Sequence, residues 1–281
     1  MRIFAALLGG TISSYREMDK VRLGKTSFVS EYLVRNHPEH QFIFPEFKTY
    51  SSEDATPYTY RDAIKQIMEE AKSSSYDGIL ITHGTDTCAY FAQLAARILP
   101  CLNIPFAITG SVLSPDVDAK EASDNLAFAV NSLENGKSGV VFRNREGKEQ
   151  LYRADLIMSP DINGFYSEYE DCSGPVAVRD ALDFLSCQKL PEILVIPSVP
   201  GALIPDRGFD RVLICCNHSG TASSDLASKI RIWTEQGISC YMAPIPSSAG
   251  VYESRAGLRD AGAIELIGMP IEGAWAEVLL R

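Results

Sequence analysis

The first 135 residues alternate short apolar runs with longer amphipathic stretches. Runs of strand length fall at Ile3–Leu8, Phe42–Phe47, Gly78–Thr82 and Ile104–Thr109. Between them, helix-period patterns cover Ser27–Arg35, Pro57–Ala71, Thr87–Leu99 and Ala119–Leu133. Thr56 before Pro57 is a helix-start signal: the hydroxyl can accept from a free backbone N–H, and proline's missing N–H costs nothing in the first turn. Continuous apolar strands alternating with helices predict a parallel sheet covered on both faces. Such sheets bind ligands outside the carboxyl ends of their strands, which directs attention to the turns after Leu8, Phe47, Thr82 and Thr109.

The pattern then changes. Two short strands between Ser138 and Tyr152 flank Arg145-Glu146-Gly147-Lys148, a hairpin signal, and a polar, irregular stretch follows over Ser159–Pro175. Beyond a linker expected at Leu182–Pro191, strands are predicted at Ile193–Ile196, Arg211–Cys216 and Cys240–Pro244, with helices near Ser223–Gln236 and Pro270–Leu280. The expected fold is α/β. A larger N-terminal catalytic or binding domain over residues 1–181 carries a mostly parallel sheet flanked by helices, and a smaller C-terminal α/β domain covers 192–281.

Composition narrows the partners. The formal net charge of −10 leaves no surplus of Lys and Arg to displace counterions, so nucleic acid is not expected as a partner. Seven scattered cysteines without C-x-x-C spacing argue against a disulfide framework or a structural zinc site. Among the four histidines, His37 and His40 form a loop-borne pair, and no metal-ligand spacing extends beyond it, so no metal is expected. The apolar run after Arg2 is short and meets Gly9-Gly10 directly, and no stretch reaches the ~18 apolar residues of a membrane span. A cytoplasmic location without a membrane partner is the expectation.

Three polar turns fall at the predicted binding edge. Gly9-Gly10-Thr11-Ile12 lets the backbone turn sharply and offers a hydroxyl at a strand end; alone it is an ordinary glycine turn, and it lacks the G-x-G-x-x-G dinucleotide spacing. Ser51-Ser52-Glu53-Asp54 is, alone, ordinary loop and cap chemistry. His83-Gly84-Thr85-Asp86-Thr87 opens a helix, where Thr85 or Asp86 can cap and free N–H groups favour a carboxylate or oxyanion. Their convergence on one sheet edge is what raises them above loop chemistry.

These motifs, with Thr109-Gly110-Ser111, Ser123-Asp124-Asn125-Leu126 and the closing stretch from about Ala249 to Leu280, resemble the bacterial-type L-asparaginase family over nearly the whole chain. Cys88-Ala89-Tyr90 is more similar to the cytoplasmic type. The resemblance implies hydrolysis of the side-chain amide of asparagine, sometimes glutamine, with Thr11 as nucleophile. Thr85 would assist proton transfer, and Asp86 with Ser52 and Glu53 would hold the substrate's α-amino and α-carboxylate groups. Gly10, Gly84 and Tyr15 would line the substrate site. No cofactor is implied, since acyl transfer through a Thr nucleophile needs none. The resemblance also implies a homo-oligomer, dimer or tetramer, in which a neighbouring subunit closes each pocket; Glu253, Glu265 and Glu272 are candidate contributions.

Three family features are changed. The family's lysine belongs on the segment that here reads Arg153-Ala154-Asp155-Leu156-Ile157-Met158-Ser159-Pro160-Asp161, where Met158 or Ser159 takes its place. The family's loop tyrosine falls by count on Val21, with Tyr15 nearby, and the second-domain turn reads Asn217-His218-Ser219-Gly220-Thr221. His218, Tyr15 and Arg153 are candidate stand-ins for the missing base. The expected activity is an asparaginase-like amidohydrolase on a small amide. The alternatives are a small-ligand binding or regulatory protein that lost turnover, and a tailoring amidase acting on a larger amide or peptide.

Overall fold

In the computed structural model, residues 1–24, 27–144, 146–161, 164–166 and 181–281 are described. The first strand, β1 (Arg2–Leu7), is buried almost throughout. A hairpin follows, β2 (Ser14–Glu17) and β3 (Lys20–Leu23), then α1 (Ser27–Asn36) and β4 (Gln41–Ile43). After α2 (Pro57–Ser73) come β5 (Gly78–Thr82), α3 (Cys88–Ile98), β6 (Phe106–Thr109) and α4 (Pro115–Glu134). β7 (Gly139–Arg143) and β8 (Glu149–Tyr152) precede a small ribbon of β9 (Met158–Asp161) and β10 (Gly164–Tyr166). The order β4-β1-β5-β6-β7-β8 makes one sheet, parallel from β4 to β7 with β8 antiparallel at the edge. The predicted hairpin is thus present; Arg145 lies outside the described residues, as do 162–163 and 167–175 of the polar stretch.

Strand alternation divides the β1 side chains between two faces. Ile3, Ala5 and Leu7 join a fully buried cluster with Leu33 of α1 and Leu126, Ala129 and Val130 of α4. Phe4 and Ala6 alternate to the other face, where the Phe4 ring meets Tyr76 edge-on at 4.9 Å. Thr56 caps α2 as expected: its hydroxyl accepts from the Thr59 N–H, and the Thr59 hydroxyl accepts from the Thr56 N–H. In α4 the backbone breaks from helical geometry at Asp118, whose carboxylate accepts from the N–H groups of Lys120 and Glu121. Asp118 therefore acts as an internal N-cap, which is why helical periodicity is readable only from Ala119.

The chain divides into two compact units. Among the described residues, 1–161, 164–166 and 181–186 belong to the first and 187–281 to the second. The stretch read as linker begins with a short helix, α5 (Leu182–Ser186), which packs against α2 of the first unit. The second unit holds β11 (Ile193–Ile196), β12 (Arg211–Cys215), α6 (Leu226–Glu235), β13 (Ser239–Ile245), α7 (Glu253–Asp260), β14 (Ile264–Ile267) and α8 (Ile271–Leu280). Its four strands pair in parallel, in sequence order. The α/β architecture with a largely parallel, helix-flanked sheet is as expected. The β2–β3 hairpin, α7 and β14 had not been foreseen, because their short, polar or exposed residues carry little periodic signal. Among the described residues no helix is long and apolar enough to cross a membrane.

Ile230 of α6 is fully buried in the second unit's core with Trp233, Val212 and Met242. Ile230→Ala is expected to lower the stability of that unit by about 2–5 kcal/mol. Both tryptophans, Trp233 and Trp275, lie in the second unit, so urea unfolding followed by tryptophan fluorescence reads the effect directly.

Candidate active site

The turns after β1 and β5, together with the segment that follows β4, meet by backbone contact. Leu8 donates to the Thr82 carbonyl and accepts from the Tyr50 N–H, and Gly9 bridges to Tyr50. Gly10 sits at φ 84°, ψ 179°, a conformation essentially restricted to glycine. A Cβ on Gly10 would lie 2.5 Å from the Gly84 nitrogen, and one on Gly84 would lie 2.4 Å from the Ser52 hydroxyl. Gly10, Gly84 and Ser52 thus pack in series, with Gly84 between the other two, and neither junction has room for a side chain. The contact carries Thr11, Ser52 and Thr85 to one edge of the sheet.

Each turn is fixed locally. The Gly10 carbonyl accepts from the Ser13 N–H at 2.9 Å and the Ser14 hydroxyl at 3.0 Å, closing a single helical turn over Thr11–Ser13. The Thr87 hydroxyl donates to the Ser52 carbonyl at 2.8 Å, and the Tyr60 hydroxyl donates to Thr87 at 2.6 Å. This chain links α2, the Ser52 turn and the start of α3. Helix α3 begins at Cys88 with Thr87 at its N-cap position, so neither Thr85 nor Asp86 caps it as anticipated. Thr87 and Tyr60 were not singled out from sequence, since a hydroxyl facing a carbonyl far along the chain leaves no local pattern.

Exposure separates the candidate residues. Ser52, Gly10 and Gly84 are buried, Thr11 and Thr85 half-buried, and Glu53 and Asp86 exposed. Tyr15, on β2, is 44% exposed, and its ring borders a cleft of about 400 Å³ that also involves Ile12, Ser13, Phe28 and Asp116. The Arg16 N–H donates to the Asp116 carboxylate at 2.7 Å and ties this hairpin to the start of α4.

His83 supports the Gly84 turn from beneath. Its ring is fully buried, stacked on Phe91 at 4.8 Å and flanked by Tyr50 and Tyr60. Nδ1 lies 2.8 Å from the Gly84 carbonyl, so the neutral ring with its proton on Nδ1 donates there. Burial lowers its pKa to about 4, despite the opposing hydrogen bond to Gly84. Behind it, burial pushes the Cys88 thiol and the Tyr60 phenol well up, leaving both protonated. Gly110 packs on the His83 carbonyl, and the Asn125 side-chain amide donates to the Gly110 carbonyl at 2.9 Å.

The last four residues of the segment expected to carry a lysine form β9, which packs against α3. The Gln93 side chain donates to the Ile157 carbonyl at 3.1 Å, and Met158 and Ser159 are half-buried. Arg153 pairs with Asp155 at 2.6 Å, which occupies one proposed stand-in. His218 lies in the second unit, in the turn after β12.

The family description "Asparaginase, N-terminal" matches residues 2–158, more than half of the chain. The chain belongs to the asparaginase family. It is 27% identical to Escherichia coli L-asparaginase 1 over 172 residues, covering 58% of this chain and 48% of that protein. One component of the glutamyl-tRNA(Gln) amidotransferase from Thermoplasma volcanium is 30% identical over 215 residues, covering 66% of this chain and 51% of that protein. The chain thus spans about half the length of these relatives. Among solved structures, the thermostable L-asparaginase from Thermococcus kodakarensis superposes with a TM-score of 0.73 at 19% identity, covering 100% and 92% of the two chains. A probable cytoplasmic L-asparaginase from Campylobacter jejuni gives 0.78 at 15% identity, covering 99% and 94%. These two likenesses establish the shared fold.

Two outcomes follow from the geometry. Gly10→Ala is expected to destabilise by at least about 1–3 kcal/mol, because it adds both backbone strain and overlap with Gly84; the urea midpoint reads this. Neutral burial of His83 makes stability fall with acid. Above about pH 6.5 the ring is neutral in both folded and unfolded chains, whereas below it only the unfolded chain takes up the proton. The loss grows from pH 6.5 to about 4 and levels off at about 3 kcal/mol. Denaturant midpoints against pH should show this component in the natural protein and lose it in His83→Gln.

Proposed function

We propose that this asparaginase-family protein hydrolyses the side-chain amide of asparagine or a related small amide, with Thr11 as nucleophile. The contact of Gly10, Gly84 and Ser52 supports the reading, because it packs together the backbones of the turns that carry Thr11, Ser52 and Thr85. In this reading the Thr11 oxygen bonds to the amide carbon and the C–N bond breaks. The hydroxyl proton reaches the departing nitrogen, giving ammonia and an acyl-enzyme, and water then cleaves the ester to acid and free Thr11. Thr85 passes the proton, while Ser52, Glu53 and Asp86 hold the substrate's α-carboxylate and α-amino groups. Backbone N–H groups of the strand-end turns would stabilise the oxyanion.

The reading extends to a homo-oligomer whose neighbouring subunit completes each pocket. Of the three acidic candidates, Glu265 pairs with Arg255 at 2.8 Å and Glu272 is 3% exposed, whereas Glu253 stands exposed in the first turn of α7. Glu253 is therefore the candidate for donation across subunits.

A second reading, binding without turnover, is favoured by the absence of lysine from residues 153–161. Loss of one proton-transfer group typically costs ~10²–10⁴-fold in rate, so a slow enzyme and a binder differ by degree. Ammonia release from L-asparagine, L-glutamine and small amides by purified protein separates them. The expected result is turnover that disappears in Thr11→Ala and falls by about 10²–10⁴-fold in Thr85→Ala. Release equal in the natural protein and Thr11→Ala, with thermal stabilisation by asparagine or aspartate, would replace the amidase reading with the binder. Failure to bind any free amino acid would favour a larger amide substrate.

A further inference from the structure

The turn between α1 and β4 carries a cluster that the amidase reading does not use. His37, Glu39 and His40 each place one ligand atom within 4.8 Å of the others'. Glu39 Oε1 lies 3.6 Å from His37 Nδ1 and 3.6 Å from His40 Nε2. A second carboxylate enters from a distant part of the chain: Glu134, the last residue of α4, sits 2.9 Å from His40 Nε2. Two imidazoles and the Glu39 carboxylate of one turn therefore share one small volume, and the Glu134 carboxylate from the end of a distant helix reaches it at His40.

We propose that His37, Glu39, His40 and Glu134 form a binding site for a divalent transition-metal ion of the zinc class. Imidazole nitrogen and carboxylate oxygen bond zinc at about 2.0–2.2 Å in a tetrahedron, whose edges are then about 3.3–3.6 Å. The two separations of 3.6 Å already match such edges. The 2.9 Å contact is a hydrogen bond that opens by a few tenths of an ångström when the ion takes the His40 Nε2 lone pair; the ring then carries its one proton on Nδ1, donating to the Met1 amine, whose ammonium gives up one proton to solvent. Two carboxylates balance the charge of a divalent ion. The paired imidazoles favour zinc, nickel, cobalt or copper over magnesium and calcium, which take oxygen donors.

The rest of the turn holds the ligands in place. The His40 N–H donates to the His37 carbonyl at 3.1 Å, and the two rings lie nearly parallel, at 4°. The His40 side chain is 6% exposed, and its Nδ1 meets the Met1 backbone nitrogen at 3.3 Å, which fixes the ring so that Nε2 faces the carboxylates. His37 turns Nδ1 toward Glu39 and buries Nε2. Because β4 runs parallel to β1, this turn precedes the strand and lies at the sheet's amino edge, opposite the Thr11 turn. The ion therefore has a structural role, fastening the end of α1, the start of β4 and the end of α4.

Titration calorimetry with zinc, and cobalt spectroscopy on the full chain, test this without any need for turnover, so the outcome is independent of the amidase reading. The expected result is one zinc per chain and visible ligand-field bands for cobalt without a thiolate charge-transfer band. The double variant His37→Ala/His40→Ala should lose both, and Glu134→Gln should weaken zinc by more than about tenfold. Zinc should also raise the melting temperature of the natural protein and leave that of the double variant unchanged. Equal binding by the natural protein and the double variant, a thiolate band, or no binding of zinc, cobalt or nickel would each overturn the site.

Discussion

The site rests on backbone meeting backbone. Gly10 and Gly84 approach so closely that a single added carbon would penetrate the neighbouring turn, and Ser52 presses on Gly84. Hydrogen bonds alone do not hold three strand-end segments at such separations, because any larger side chain would wedge them apart. Glycine carries an entropic cost on folding that an ordinary turn would avoid. Here that cost is offset by rigid placement: Thr11 and Thr85 follow directly on residues that cannot move without breaking the contact.

Around this contact the protein builds outward in polar and aromatic layers. The Tyr60–Thr87–Ser52 chain of hydrogen bonds ties the Ser52 turn to two helices, and the neutral His83 ring fills the space beneath Gly84 against Phe91. A charged imidazole would be expelled from such a place, so burial itself keeps His83 out of proton transfer at neutral pH. The same desolvation silences Cys88. What stays partly accessible at the edge is a set of hydroxyls, with the Glu53 and Asp86 carboxylates in solvent. In the proposed amidase, that distribution would serve to capture a small zwitterionic amide and would leave the supply of a base as the chemically demanding step.

The two edges of the first sheet carry different chemistry. The carboxyl edge holds the glycine contact and the hydroxyls, while the amino edge gathers His37, Glu39, His40 and Glu134 where three elements end or begin. The proposed ion site would brace one edge without changing the charge at the other, where the proposed amidase chemistry lies. The β2–β3 hairpin, tied to α4 through Asp116, adds a border beside the Thr11 turn.

By itself, the sequence determined the α/β class, the parallel core strands, the Thr56 cap and the positions of the polar turns. Apolar runs, helix periodicity and capping hydroxyls are local signals, written in neighbouring residues. The motifs around Gly10, Ser52 and Gly84 were legible too, along with the lack of lysine in residues 153–161. Only the tertiary structure decided that Gly84 packs against both Gly10 and Ser52, and that Thr87 reaches back to Ser52 instead of leaving Thr85 or Asp86 to cap α3. It alone decided, too, that Glu134 meets His40. The Thr87–Ser52 bond joins residues 35 positions apart, and the Glu134–His40 contact joins residues 94 apart. Steric exclusion and hydrogen bonding across such separations depend on how elements pack, and no window of sequence records packing.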